Sequence, residues 1–360
     1  CKRKPYKGAH SVPEIVFCAQ PSDVGLNPFP ESLCFHSCFV MLRWLFPIGL
    51  VLNRSFGRRS RLSRIRGCRM CRSCGHGSVP SLTVYSMLSS MISRHLAVCS
   101  WSLKPQRPLD LISSCNSCEI KKVQLALLPL VHDCAWENCG VLFQESGIEV
   151  ISGMLEASGE DYTSLETIAD TGGLRQDCMW ASTEKNAVQV AEIAEQMELP
   201  LVTFHAGFIP EGQCEERTKM LKRLHILADI FAKHGVLLGL ETGQECAPNV
   251  VSVLEELAHP SLGVNYDPAN MILYGKGDPI EAINTLSPWV QQVHIKDAKA
   301  TELLGTWGTE MPAGEGDVPW EKFLECVPSG VNLVIEREGG ENRISDVQQA
   351  KIMLEKLGAC

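Results

Sequence analysis

The sequence predicts an α/β protein whose main body is a TIM (β/α)8 barrel, preceded by a leader that is unstructured or non-native. Three observations lead there. From residue 95 onward, short apolar runs alternate with amphipathic stretches, the pattern of parallel βα units. The runs number eight, in a span of roughly 265 residues, the size such a barrel needs. Several of them end on a carboxylate or an imidazole, and in this architecture side chains at the C-terminal strand ends converge above the barrel.

The predicted strands, in order, are HLAVCSWS (95–102), KKVQLAL (121–127), GIEVISGML (147–155), LPLVTFHAG (199–207), GVLLGLETG (235–243), LGVNYDPAN (262–270), VQQVHIKDA (290–298) and VNLVIERE (331–338). The clearest helix patterns lie between strands three and five. STEKNAVQVAEIAEQMEL (182–199) repeats Val188, Ala191, Ile193 and Ala194 near the 3.6 period after a Ser/Thr-x-Glu start, and CEERTKMLKRLHILADIFAKHG stops on Gly235. GEGDVPWEKF (314–323) reads as a loop opening a helix, with Gly314 and Gly316 allowing close backbone approach to a ligand and Trp320 packing that helix onto the barrel. A doubly wound open sheet is the competing architecture, but no Gly-x-Gly-x-x-Gly follows any strand.

Composition separates two kinds of sequence. The chain has 360 residues, a net charge of -9, 45% hydrophobic and 21% charged residues, ordinary for a globular protein. Residues 1–93 carry +10 and seven of the 17 Cys, and residues 94–360 carry -19. The expected division is therefore a basic, Cys-rich, unstructured leader (1–93) and a barrel domain (94–360), with a start at Met91 just ahead of the first strand. Cys68, Cys71 and Cys74 have gaps that suit a metal or iron-sulfur cluster, with His76 close by, but no fourth paired ligand accompanies them. The run FVMLRWLFPIGLVL (39–52) contains Arg43 and Pro47 and is about 14 residues long, where a membrane helix needs about 20, so no membrane partner is expected. Scattered cysteines without paired spacing predict reduced thiols and a cytoplasmic location. The acidic barrel argues against nucleic acid as a partner, and a homo-oligomer is compatible with everything above.

Glu241, Asp267, His294 and Glu336 end strands five, six, seven and eight. Neighbouring strands would bring them to one locus. Singly, Asp267 before Pro268 reads as a turn former and Glu336 beside Arg337 as half of an ion pair. Together, three carboxylates repel one another unless a cation sits among them, and three carboxylates with one imidazole form a hard, mostly oxygen site. One divalent ion is expected, Mn2+ first, with Mg2+ or Co2+ as alternatives.

The motifs LGLETG, NYDPAN, VHIKD, PAGEGDVPW and VIERE resemble those of the xylose-isomerase-like TIM-barrel superfamily, the sugar (phosphate) isomerases and epimerases that also include endonuclease IV. The resemblance covers about residues 95–360. It implies that Glu241, Asp267, His294 and Glu336 bind one divalent metal and that Glu241 and Glu336 also act as acid and base on a sugar or sugar phosphate. The chemistry agrees: a metal bound to a carbonyl and its neighbouring hydroxyl polarises the oxygen, and two carboxylates on opposite sides move a proton from one face to the other or to the adjacent carbon. His205, at the end of strand four, stands where endonuclease IV carries an additional metal ligand, and is read here as a substrate hydrogen-bonder. Asn270 replaces the His of many ketose 3-epimerases and Ala300 replaces their Arg, and Asn270 together with the Gly-Glu-Gly segment (314–316) looks closer to the branch acting on ketopentose phosphates such as L-xylulose 5-phosphate. No Asp-x-His follows strand seven, which disfavours an endonuclease-like hydrolase. Lys296 and Asp297 either contact substrate hydroxyls or pair with each other at the rim, and Trp101 either stacks on the substrate or caps the barrel. Three functions follow in order: a metal-dependent isomerase or epimerase of a ketose or ketose phosphate, an inosose-dehydratase-like lyase, and a sugar-binding barrel without catalysis.

Overall fold

Each of the eight apolar runs becomes a strand, and each strand is shorter than its run because the last residues leave the ladder to line the mouth. The computed structural model describes residues 95–303 and 305–360. The cluster reading of Cys68, Cys71 and Cys74, the hydrophobic run 39–52 and the leader itself lie outside the described residues. The strands are β1 Leu96–Cys99, β2 Lys122–Ala126, β3 Glu149–Met154, β4 Leu201–Phe204, β5 Leu237–Glu241, β6 Leu262–Tyr266 and β7 Val290–Ile295. A short antiparallel hairpin follows, β8 Asp297–Lys299 with β9 Thr309–Met311, and β10 Asn332–Ile335 completes the set. The order β1-β10-β7-β6-β5-β4-β3-β2 closes into a barrel, every pair in it parallel. Closure removes the unpaired sheet edge.

Side chains alternate across the barrel wall. Val98, Leu333 and Ile335 belong to the large apolar layer between strands and helices, while Ala97, Cys99 and Val334 form a small separate cluster with Ile151. The two-residue period then carries Glu336 and Glu338 to the same side as Val334.

The two long helices confirm the helical period and correct one start. The first spans Asp177–Gln196 and starts five residues ahead of the Ser/Thr-x-Glu signal at Ser182. Its first turn is fixed by the bond from Arg223 Nη2 to Asp177 Oδ1 at 2.6 Å, and the Thr183 hydroxyl accepts from the Ser158 backbone N–H instead of capping. Tertiary partners thus override a local cap. The second spans Glu215–Lys233 and ends as expected, with Gly235 at φ +70°. No helix among the described residues is long and apolar enough to cross a membrane, and all ten described cysteines are free.

Candidate active site

Below the mouth the barrel interior is polar rather than aliphatic. Gln124 on β2, Ser152 on β3, Thr203 on β4, Asn265 on β6 and Gln292 on β7 are all buried. They bond in a chain: Ser152 Oγ donates to Gln292 Oε1 (2.7 Å), Gln292 Nε2 to Gln124 Oε1 (2.9 Å) and Asn265 Oδ1 (3.2 Å), and Gln124 Nε2 to Thr203 Oγ1 (2.7 Å). None of these five was anticipated as a site residue. The signal was present, since each is a polar side chain within a barrel strand, where burial demands a partner.

This platform orients the site. Gln124 Oε1 lies 2.8 Å from His294 Nε2. Asn265 Nδ2 lies 3.0 Å from the same nitrogen, so Gln124 and Asn265 hold Nε2 between them and the ring turns Nδ1 toward the carboxylates. Asn265 Nδ2 donates to Glu241 Oε2 at 3.2 Å and Asn270 Nδ2 to Glu241 Oε1 at 3.2 Å. Asp267 does two jobs: Oδ1 accepts from the Asn270 backbone N–H (2.9 Å) and caps the helix Pro268–Leu273, leaving Oδ2 turned inward. Trp101 Nε1 donates to Glu336 Oε1 at 2.7 Å, so the ring sits on the site wall and holds one oxygen of that carboxylate.

Glu241, Asp267, His294 and Glu336 therefore meet, each offering one donor atom, with all four atoms within 4.8 Å of one another. Asp267 Oδ2, His294 Nδ1 and Glu336 Oε2 are buried and make no hydrogen bond. His294 Nδ1 is 3.3 Å from Glu241 Oε1, 3.7 Å from Asp267 Oδ2 and 3.1 Å from Glu336 Oε2. Lone pairs aimed at a common point, with no donor to satisfy them, fit one divalent cation. The electrostatics point the same way. Burial works to lower the His294 pKa, but Glu241 and Glu336 together carry it well above the usual imidazole value. Burial pushes the Asp267 carboxyl up to about 6, with Lys296 and His294 pulling against it. Burial likewise works to raise Glu336, and Lys296 and His294 outweigh it and hold it well below the usual range. A site that keeps a proton on its imidazole is short of positive charge.

The remaining expected residues are distributed around a cavity of about 600 Å3 above this cluster. His205, Asn270, Lys296, Trp101 and Glu336 line it. His205 Nε2 is 3.5 Å from Glu241 Oε1, and its buried Nδ1 has no hydrogen-bond partner. Lys296 does not pair with Asp297. Its Nζ reaches Glu338 Oε2 (2.6 Å) and Glu336 Oε2 (3.0 Å), the latter off the angle of a hydrogen bond. Asp297 does not line the cavity: both its oxygens are taken by N–H donors, from Gly314 (2.8 Å), Gly316 (3.1 Å), Val318 (3.2 Å), Ala298 (2.9 Å) and the Trp320 indole (2.9 Å). The glycines expected to approach a ligand approach this carboxylate instead; a Cβ on Gly316 would sit 2.0 Å from Asp297 Oδ1. Arg337, the neighbour expected for Glu336, pairs with Glu310 and Asp346, both at 2.8 Å. Tyr162, Tyr274, Trp307, Glu160 and Glu338 also line the cavity, and all five went unnoticed in the sequence. Glu338 alone had a signal, two residues beyond Glu336 on the same face. The others lie on loops and short helices without a period.

A xylose isomerase-like TIM barrel family matches residues 137–357, more than half of the chain. The chain belongs to that family. Of curated relatives, 3-dehydroshikimate dehydratase of Bacillus anthracis is 29% identical over 94 residues, 25% of this chain and 33% of that protein. Protein YihM of Escherichia coli strain K12 is 28% identical over 148 residues, 39% of this chain and 45% of that one. The chain thus spans a third to just under half of the curated relatives it matches. Among solved structures, a xylose isomerase domain protein from Planctomyces limnophilus superposes with a TM-score of 0.64 at 28% identity, covering 73% of this chain and 95% of its own. A xylose isomerase-like TIM barrel protein from Mycobacterium smegmatis in complex with magnesium gives 0.54 at 13% identity (75% and 97% covered), and an L-ribulose 3-epimerase 0.56 at 13% identity (74% and 94%). The last two share the fold alone.

Proposed function

We propose that this member of the family is a divalent-metal-dependent isomerase or epimerase of a ketose or ketose phosphate that acts by proton transfer beside the carbonyl. The supporting observation is the set of four convergent donors, three of them buried without a hydrogen bond, at the floor of a cavity whose wall includes Glu336. A bound divalent ion, Mn2+ being favoured by the hard donor set, would polarise the carbonyl. Glu241, Asp267, His294 and Glu336 would hold it.

The chain supplies the proton carriers. Glu336 comes from β10 and Glu241 from β5, on opposite sides of the cluster. Trp101 fixes one Glu336 oxygen, and Asn265 and Asn270 fix Glu241. Such bonds hold the carboxylates in place and tune how readily each takes a proton. On the Glu241 side the group that reaches the cavity is His205, in contact with Glu241 Oε1, so a proton leaving on that face passes to this pair. Lys296 neutralises charge beside Glu336 and faces the cavity where negative oxygen would develop. Tyr274 and Trp307, their rings 5.8 Å apart, shield the mouth from water.

A lyase is the second reading, favoured by the identity with 3-dehydroshikimate dehydratase. The two are separated by incubating the Mn2+-loaded chain with ketoses and ketose phosphates in deuterated water. Solvent deuterium beside the carbonyl, with a new epimer or isomer, supports the proposal; loss of water supports the lyase. Glu336→Gln and Glu241→Gln, still metal-loaded, should lose turnover by a hundredfold or more. Near wild-type turnover in both would overturn the two-carboxylate mechanism.

A further inference from the structure

The cavity that the proposed reaction uses is built to refuse an anion. Five carboxylates line it, Glu156, Glu160, Glu310, Glu336 and Glu338, against Lys296 as the one lining Lys or Arg among the described residues. That lysine is already spent on Glu336 and Glu338. Glu156 has no basic side chain within ion-pair distance among the described residues.

The backbone offers no cradle either. In (β/α)8 barrels phosphate groups commonly seat on main-chain N–H groups of the loops after strands seven and eight. Here the loop after β10 presents the N–H groups of Glu338 and Gly339, and both are occupied by one internal carboxylate: Glu310 Oε1 accepts from Glu338 N–H at 2.8 Å and Oε2 from Gly339 N–H at 2.9 Å. The same Glu310 takes Arg337, the nearby guanidinium that could otherwise bind phosphate. In this loop a fixed carboxylate of the chain stands where a ligand anion would.

From this occupation, resting on the metal-dependent reading above, we infer that the substrate is an uncharged polyhydroxy ketone, and that phosphorylated and carboxylated analogues are rejected. The lining suits that chemistry. Trp101, Tyr162, Tyr274 and Trp307 present aromatic faces to C–H surfaces of a sugar. Glu156 and Glu338 accept from hydroxyls. Burial pushes the Glu160 carboxyl up to about 7, so it can both donate to and accept from a hydroxyl at neutral pH. A hydroxyl can satisfy all of these. A phosphate dianion has no proton to give Glu156 and Glu338 and meets their like charge.

The test is a set of paired titrations of the Mn2+-loaded full chain by calorimetry: L-ribulose against its 5-phosphate, D-fructose and D-tagatose against their 6-phosphates, and 3-dehydroshikimate as the carboxylate. At least one neutral ketose should bind ten or more times tighter than its phosphate, and 3-dehydroshikimate should not compete with it. Glu310→Ala frees two N–H groups and the Nη1 of Arg337, whose Nε stays on Asp346, and should narrow the gap at least tenfold by tightening the phosphate, not by weakening the sugar. Glu310→Gln serves if the alanine variant melts early, and Glu156→Lys, on an exposed side chain, should narrow the gap without touching the loop. Phosphates binding as well as or better than their sugars, no neutral ketose binding at all, or a ratio unmoved by both substitutions overturns the inference. Failure of the reaction itself reads out separately, as tight neutral binding without deuterium exchange.

Discussion

His294 Nε2 lies 2.8 Å from Gln124 Oε1, joining residues 170 positions apart across the barrel interior. With Asn265 Nδ2 at 3.0 Å from the same nitrogen, that contact turns the other ring nitrogen, Nδ1, toward the carboxylates. Replacing Gln124 with Met keeps the volume and removes the acceptor, and metal affinity should fall about 10–100-fold. A competitive titration against a fluorescent chelator measures it, and an unchanged constant would show that the tautomer is set by the carboxylates alone.

Ligands and neighbours should respond differently. Asp267→Ala or His294→Ala removes an atom from the cluster and should abolish tight Mn2+ binding in calorimetry. His205→Ala, whose ring nitrogen lies 3.5 Å from Glu241 Oε1 outside the four-donor cluster, should leave it within a few-fold. Equal loss in all three would instead support a multi-metal site.

Asp297 separates stability from binding. Five N–H donors converge on its carboxylate, and Asp297→Ala strands them in a buried setting. A loss on the order of 3 kcal/mol or more is expected, read as a lower urea midpoint at constant slope. Manganese affinity should change less than tenfold. Normal stability with lost sugar binding would return Asp297 to the substrate-contact role its sequence position suggests.

Glu245 gives a pH signature. Burial pushes its carboxyl from 4.5 up to about 7 while it accepts the Ile209 N–H at 3.0 Å. The folded state therefore holds this proton more tightly than the unfolded state, so the stability it contributes is complete below about pH 4.5 and lost as pH rises through 7. The loss is about 3 kcal/mol by linkage. Glu245→Gln keeps the acceptor and removes the titration. In chelator-treated protein it should melt several degrees higher than wild type at pH 8 and close to it at pH 5; parallel pH slopes would contradict the assignment.

Local rules explain why so much was legible in the sequence and where they stopped. Alternation of apolar runs and helical periods is written residue by residue, so all eight strands and the closed barrel follow from it. Strand ends are chemically conspicuous because a carboxylate or imidazole closing a largely apolar run has no local reason to be there, and this marked Glu241, Asp267, His294 and Glu336. Asp297 misled for the same reason: it too ends an apolar run, but its partners are backbone N–H groups that a sequence does not display. The Ser/Thr-x-Glu start of the first long helix failed because Arg223, 46 residues beyond Asp177, anchors that residue instead.

By itself the sequence determined which side chains exist at each strand end, and so the donor set and the hardness of the metal it suits. Only the tertiary structure decided where their remaining hydrogen-bonding capacity goes. It commits Asp267 Oδ1 to a cap and leaves Oδ2 free, holds His294 Nε2 by way of Gln124 and Asn265, and spends Asp297 and Glu310 on backbone N–H groups of the chain. Residue type fixes what a group can bind; the closure of a barrel, bringing residues separated by up to about 240 positions within 3 Å as with Trp101 and Glu336, fixes what it does bind.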